Sequence, residues 1–441
     1  MVPAGRGLMI SVKNVTGFNK VLFSIKLKVC IFFYYLPELL KGRLSVGRYR
    51  MFLKRLLYFL SKIYHNKFVA IGRYVRVGLY IPGFPSKAFF TACRKFMVFD
   101  AKLPCTTALI SVTSACRHHC AHCYQRKDTG KDVSIDLMVK AVERMQAKGV
   151  AFFNIEGGDP FLVYDRLKRL CGSINGGAEI WINSTGDGVS VERLRELKGL
   201  GLTGVMFSLH SAVPEYVNAF MGSENAWAIL QEGIRCCHAA DVPVAFNACL
   251  RREDFYNGAF AQVMAKARDF GACLVQVIKP KPSGAWLESG IENFTAADLD
   301  KVKELVHAYN NEARYREYPS ISAQIIEEDP LVFGCTAGGT DRFYLNAKGD
   351  VQPCEFLNIS FGNICEEDFS AIYDRMRACF KDPGECWLCE KYAPAVLKVF
   401  QANKVASLPL NKELSRQVYL DWDRGRRTDI YNVIENERSI V

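Results

Sequence analysis

Cys116, Cys120 and Cys123 place three thiols within eight residues, in the run Ala-Cys-Arg-His-His-Cys-Ala-His-Cys-Tyr that ends at Tyr124. Thiolates are soft ligands that select iron–sulfur clusters or zinc. Three on one short loop can wrap one corner of a four-iron cube and leave its fourth iron open, which is where chemistry happens. The rival arrangement is a structural zinc knot drawing on His118, His119 or His122. Zinc sites, however, usually pair two short Cys/His hooks and saturate the metal. A second group follows: Cys335, then Gly349, then Cys354 in a C-x13-G-x4-C pattern, with Cys379 and the pair Cys386-x2-Cys389 beyond. Four thiolates would close a cluster against ligands and suit it to electron transfer or support. A four-Cys zinc ribbon has compatible spacing.

The surrounding pattern must position these groups. Six short apolar runs, at 108–112, 150–155, 179–183, 204–209, 242–249 and 273–278, alternate with helical patterns around 134–148, 162–171, 190–199, 224–239 and 258–270. Ser134 and Ser190 suit N-caps, and Gly149 suits the end of the first helix. The alternation predicts an α/β fold whose parallel sheet curls into a partial (β/α)6 barrel of TIM type. Ligands of such sheets sit at the carboxyl ends of strands. Pro280, Pro282, Ser283 and Gly284 break the pattern, a helix is expected over 296–316, and a Gly- and Cys-rich segment begins near Pro330. Within it, 343–351 reads as two strands joined by an Asn/Gly turn. The charged tail after Pro394 reads as helix plus a terminal strand or coil.

The net charge of +11 is unevenly spread: residues 1–100 carry 18 Lys/Arg against only Glu38 and Asp100, and the remainder is slightly acidic. Lys13, Lys20, Lys26 and Lys28 interrupt every candidate apolar core near the start, so no secretory leader is expected. Seventeen cysteines then point to metal in a reducing, cytoplasmic compartment. As a helix, 50–64 places Phe52, Leu53, Leu56, Leu57, Leu60, Ile63 and Tyr64 on one face, with Lys54, Arg55, Ser61 and Lys62 on the other. Such a helix either packs its apolar face on the core or lies on an anionic membrane surface. The run 29–37, containing Phe32-Phe33-Tyr34-Tyr35, is too short to span a bilayer.

The array at Cys116, Cys120 and Cys123 just after a strand resembles the signature of the radical S-adenosylmethionine (SAM) superfamily. The resemblance implies a [4Fe–4S] cluster on these three residues, with SAM on the open iron as the source of a 5′-deoxyadenosyl radical that abstracts a hydrogen atom. Tyr124 follows the array, and His122 fills a place that is often aromatic in the family. Glu156-Gly157-Gly158-Asp159-Pro160 is similar to the family's Gly-Gly-Glu-Pro turn, with Asp159 in place of Glu. Asn183 and Ser208, behind the next two strands, fall where further SAM contacts belong. Gly157, Gly158, Asp159, Asn183, Ser208 and Tyr124 are therefore the expected cofactor-binding residues. His210 and Cys365 are candidates for proton or hydrogen transfer, with Cys105 as a further thiol. The remaining cysteines (Cys30, Cys93, Cys171, Cys236, Cys237, Cys249 and Cys273) read as small buried hydrophobes.

The second Cys group resembles the auxiliary extension called SPASM or, when shorter, twitch. No Cys follows Cys389, which implies one auxiliary [4Fe–4S] cluster on Cys335, Cys354, Cys386 and Cys389, with Cys379 a substitute. The sequence 361–364, Phe-Gly-Asn-Ile, is similar to a connection common in that extension. The expected division is a basic amphipathic region at 1–100, a radical SAM core at 101–290, a connecting helix at 291–330, a twitch/SPASM-like domain at 331–395 and a tail at 396–441. The resemblance implies hydrogen abstraction from an unactivated C–H, first on a ribosomally made peptide, alternatively on a membrane lipid or lipid-linked molecule. An electron donor such as flavodoxin or ferredoxin is implied, in the cytoplasm or peripherally on the inner membrane face. The rival of another class is a zinc protein that binds nucleic acid through its basic segment.

Overall fold

The computed structural model describes residues 11–380 and 384–435. The first ten residues of the basic region, residues 381–383 and the end of the tail, where a strand or coil is expected, lie outside the described residues.

The six expected strands are β4 (Thr107–Ser111), β5 (Phe152–Glu156), β6 (Glu179–Ser184), β7 (Leu202–Ser208), β8 (Val244–Cys249) and β9 (Leu274–Ile278), all parallel and paired in chain order. Helices fill the connections, among them Ile135–Ala147, Tyr164–Ser173, Val191–Gly199, Ala226–Ala240 and Ala259–Asp269. The hydroxyls of Ser134 and Ser190 cap two of them, accepting from the backbone N–H of Asp136 and Arg193. Preceding β4 are β1 (Val12–Val15), β2 (Phe68–Ile71) and β3 (Tyr74–Arg76), which form an antiparallel sheet. After β9 come β10 (Ser320–Ala323), parallel to β9, and β11 (Arg342–Leu345), parallel to β4 and antiparallel to β12 (Val351–Gln352). The architecture is thus a partial (β/α)6 barrel extended by one strand at one edge and two at the other.

Alternation along each strand sorts its side chains. Ala108, Ile110, Phe153, Ile155, Val205 and Phe207 pack outward with the helices in the main core. Facing inward near the strand starts, Phe152, Trp181, Met206, Ala245 and Leu274 form an apolar floor sealed by Val69, Ile71 and Leu79. The β2–β3 hairpin thus plugs the bottom of the barrel. Arg76 anchors it, paired with Glu179 and held over the Trp181 ring at 5.0 Å.

The N-terminal region contains two helices, α1 (Gly17–Leu40) and α2 (Val46–Lys62). The expected helix over 50–64 is α2, and its apolar face is used internally: Phe52 and Leu56 are buried with Leu27, Ile31 and Tyr35 of α1. Arg55, expected on the solvated face, is buried; it donates to the Val98 carbonyl at 2.9 Å and stacks over Phe99. The tail forms the helices Ala393–Ala402, Lys412–Tyr419 and Asp429–Glu435 rather than one helix, and Ile430, Tyr431 and Ile434 join the N-terminal core. Among the described residues no helix is long and apolar enough to cross a membrane.

Candidate active site

Above the apolar floor the inward positions turn polar. Asn154 and Glu156 of β5, Asn183 of β6, Ser208 of β7, Asn247 and Cys249 of β8, and Gln276 of β9 line a cavity that opens to solvent. Buried polar groups are normally satisfied, since an unmade hydrogen bond costs about 1–3 kcal/mol. Yet Asn154 Oδ1, Asn183 Oδ1, Asn247 Oδ1, His122 Nδ1 and His210 Nε2, all on cavity-lining side chains, have no partner within the protein. A polar ligand in the cavity would satisfy them.

Tyr124, Gly157, Gly158, Asn183 and Ser208 all line the cavity. Tyr124 donates its hydroxyl to Glu156 at 2.8 Å, and Asn183 donates to the same carboxylate at 2.9 Å. Burial, reinforced by Glu355, pushes the Glu156 carboxyl up to about 8. Asp159 is not among the lining residues. Its fully buried carboxylate instead accepts from the Ser184 and Thr185 hydroxyls and from the Thr185 and Phe161 N–H groups. It braces the turn after β5 against the turn after β6. His210 lines the cavity, its Nδ1 accepting from the Cys249 N–H at 3.1 Å. Burial and the neighbouring His122 hold it well below the ordinary histidine range, so it is neutral. Cys365 is exposed and outside the cavity, so the structure gives it no route to substrate there. Cys105 is buried against the Thr107 and Asp341 carbonyls.

The loop bearing Cys116, Cys120 and Cys123 lies at the mouth, gripped by its neighbours. Gly158 and Asp159 donate backbone bonds of 2.8 Å to Thr113 and Ala115. A Cβ on Gly158 would lie 2.0 Å from the Ala115 carbonyl oxygen, so no other residue allows this approach. On the far side Gly284, at φ +54°, would put a Cβ 2.3 Å from the Tyr124 oxygen, and the Ala285 N–H donates to Cys123 at 2.9 Å. His122 stacks on Phe220 at 4.9 Å and meets His210 edge-on at 4.5 Å. Burial raises the thiols of Cys116 and Cys120 to about 11 and 12, and raises that of Cys123. Without a metal these side chains stay protonated; a bound cluster would take their protons. The donor set, all thiol and confined to one loop, fits an iron–sulfur cluster. Among the described residues no three His, Cys, Asp or Glu side chains converge as a single metal ion requires.

The second Cys group reaches the same cavity. Cys335, Cys354 and Cys389 are buried, and burial raises all three thiols; Cys389 adds to the rise at Cys354, and Cys335 to that at Cys389. Cys386 is half-buried, with Lys391 Nζ 3.7 Å from its sulfur. At Cys379 burial raises the thiol and the nearby Arg424 partly offsets it. Glu355 and Phe356, next to Cys354, line the cavity, as do Lys279 and Lys281, which bind Glu390 at 2.8 and 2.7 Å. Asn154, Asn247, Gln276 and Cys249 were not among the expected site residues. Their signal was a polar or thiol side chain at the inward positions of otherwise apolar strands.

Residues 110–254 match the radical SAM superfamily, and residues 335–391 match the SPASM iron–sulfur cluster-binding domain. An AdoMet-dependent heme synthase of Methanosarcina barkeri is 21% identical over 307 residues, covering 63% of this chain and 86% of that protein. A PqqA peptide cyclase of Streptomyces rochei is 26% identical over 293 residues, covering 64% and 79%. The fold is shared with Streptococcus suis SuiB: bound to S-adenosylmethionine it superposes with a TM-score of 0.52 at 15% identity, covering 70% of this chain and 79% of that one. Its complex with precursor peptide SuiA gives 0.50 at 15% identity, covering 65% and 69%. Matches to two iron–sulfur families set aside the zinc-dependent nucleic-acid-binding alternative. The chain is a radical SAM superfamily enzyme with a SPASM-type auxiliary iron–sulfur domain, and its cofactors are [4Fe–4S] clusters and SAM.

Proposed function

We propose that the enzyme modifies a ribosomally made peptide. Cys116, Cys120 and Cys123 hold the catalytic cluster, and Cys335, Cys354, Cys386 and Cys389 hold one auxiliary cluster. The observation that carries this reading is convergence on one cavity. The barrel contributes Gly157, Asn183 and Ser208, and the Cys-rich segment contributes Glu355 and Phe356. When bound, the cluster and SAM supply a 5′-deoxyadenosyl radical for hydrogen abstraction from an unactivated C–H bond. The protein's own part is positional. Tyr124, Gly157, Gly158, Asn183 and Ser208 seat the cofactor, and Asp159 holds the turns that carry them. Trp286, Phe356 and His122 exclude water that would compete with substrate. Glu156 is placed to hold or release a proton near neutral pH. His210 remains a proton-transfer candidate through its free Nε2. An external one-electron donor such as flavodoxin or ferredoxin would supply the electron that the cluster needs.

The names of two relatives, a peptide cyclase and an enzyme crystallised with its precursor peptide, support a peptide substrate. The apolar outer face of α1 favours a second reading, the same chemistry on a lipid or lipid-linked molecule. The test is an anaerobic assay of the reconstituted enzyme with dithionite, SAM and either peptides encoded beside its gene or a lipid extract. Peptide-dependent 5′-deoxyadenosine with a matching change in peptide mass is expected. Stimulation by lipid alone would replace the peptide reading, and no 5′-deoxyadenosine from an iron-replete sample would defeat both.

A further inference from the structure

Helix α1 has two apolar faces, of which the fold uses one. Lys20, Leu27, Ile31 and Tyr35 are buried, and Lys20 Nζ fastens the helix to the end of α2 through the Tyr64 and Asn66 carbonyls at 2.6 and 2.8 Å. On the opposite face Phe18 is 74% exposed, Leu22 49%, Ile25 54%, Val29 48%, Phe33 62% and Leu40 75%. At about 100° per residue these side chains share a stripe about 80° wide that contains no polar residue. Over 24 residues the stripe is about 36 Å long. Monomeric soluble proteins rarely leave so continuous an apolar surface in water.

Charge identifies what covers it. Lys26 and Lys28 are exposed and flank the stripe on its two edges, at about 80° to either side of Phe18. Lys41 and Arg43 are exposed just past the helix end. Glu38, the only carboxylate on the helix, is paired with Arg43 at 3.2 Å. An apolar strip with a lysine along each edge is the pattern of a helix lying in the plane of a bilayer. Its hydrocarbon side enters the acyl boundary, and its ammonium groups reach up to lipid phosphates. A second copy would bring these lysines against one another, and nucleic acid has no use for the stripe.

We infer that the outer face of α1 docks the enzyme on an anionic membrane surface, with the helix in the interface and the barrel outside. The test is co-sedimentation of the full reconstituted chain with vesicles of phosphatidylcholine alone, or with about 30% phosphatidylserine. Binding to the anionic vesicles is expected, weakening as salt rises. Lys26→Gln and Lys28→Gln should each weaken it about fivefold. The double variant Ile25→Ser/Phe33→Ser should weaken it by at least about tenfold. Both sets of side chains are exposed, so melting temperature and iron content should stay at the wild-type values. No sedimentation, or equal binding to neutral vesicles, would overturn the inference. So would a dimer in sedimentation velocity that the double variant dissolves, because the face would then belong to a second copy.

Discussion

Replacing Gly158 by alanine should disable the enzyme without unfolding it. The new methyl group would stand 2.0 Å from the Ala115 carbonyl oxygen, 2.4 Å from its carbon and 2.8 Å from the Ser114 oxygen. Contacts below 3.0 Å are essentially never made by a real Cβ, so the two backbones must part by at least about 1 Å. The displaced atoms are backbone and cannot swing aside as the end of a flexible side chain would. Two hydrogen bonds of 2.8 Å, from Gly158 to Thr113 and from Asp159 to Ala115, hold the surfaces together and would be stretched. Ala115 precedes Cys116, so the shift passes to the first of the three cysteines.

Overpacking of this kind costs about 1–3 kcal/mol, a loss that a chain of 441 residues should survive folded. At a reacting centre a misplacement of about 1 Å can cost about 100-fold in rate. SAM cleavage should therefore fall by about two orders of magnitude while the melting temperature drops a few degrees. Iron per chain and 5′-deoxyadenosine formed under dithionite are the readouts. Gly176→Ala is the control, since a Cβ there meets nothing within 4 Å. Wild-type iron content and rate in Gly158→Ala would show that the turn does not position the loop, and the reasoning would fail.

Alanine at Cys354 or Cys389 should lower iron from about eight to about four per chain, whereas Cys379→Ala should leave it unchanged; loss of iron in the last variant would move a ligand. Glu156→Gln should alter the pH dependence of stability in the metal-free chain. The folded carboxyl titrates near 8 against 4.5 unfolded, so the native state holds the extra proton between those values and wild-type stability falls as pH rises through that window. The variant should be flatter there in urea titrations, and an unchanged slope would refute the buried-carboxyl argument. Lys281→Met would leave Glu390 with Lys279 alone, so a loss toward the lower end of about 3–5 kcal/mol is expected from denaturation. Cys365→Ala should turn substrate over within about twofold of wild type, since its exposed thiol cannot reach the cavity.

Residue spacing made the barrel readable because strands buried on both faces are near-continuous apolar runs, and helices between them keep a 3.6-residue period. Where that contrast weakens, reading fails. The strand β10 is Ser-Ile-Ser-Ala, four residues with little β propensity, and only its pairing with β9 makes it a strand. Helix α1 is apolar on two sides, so no single stripe announces it, while Arg55 of α2 has the composition of a solvated face and the position of a buried one. Tyr124, Gly157, Gly158, Asn183 and Ser208, which line the cavity, were legible as motifs behind strands. Asn154, Asn247 and Gln276 were not, because an isolated polar residue within a strand says nothing until the register shows it pointing inward.

The distance in sequence between the two Cys groups is resolved by one strand pairing. Residues 342–345 return across the whole barrel to add β11 beside β4, with Tyr344 opposite Leu109 and Leu345 opposite Ile110. That register brings Tyr344 to Gln125 at 2.5 Å and sets its ring 6.0 Å from that of Tyr124, immediately after the third cysteine of the first array. The chain then turns at Gly349, and Cys354 follows with Glu355 and Phe356 at the mouth. Opposite them Lys279 and Lys281, on the loop after β9, grip Glu390 beside Cys389. The Cys-rich segment is therefore fastened to both edges of the six-stranded barrel, at β4 and at β9, and spans the gap that an open barrel leaves between them. Closing that gap walls an open-sided sheet into a cavity that keeps one mouth to solvent. The proposed radical chemistry would require that water and stray hydrogen donors be kept out of it while substrate is bound.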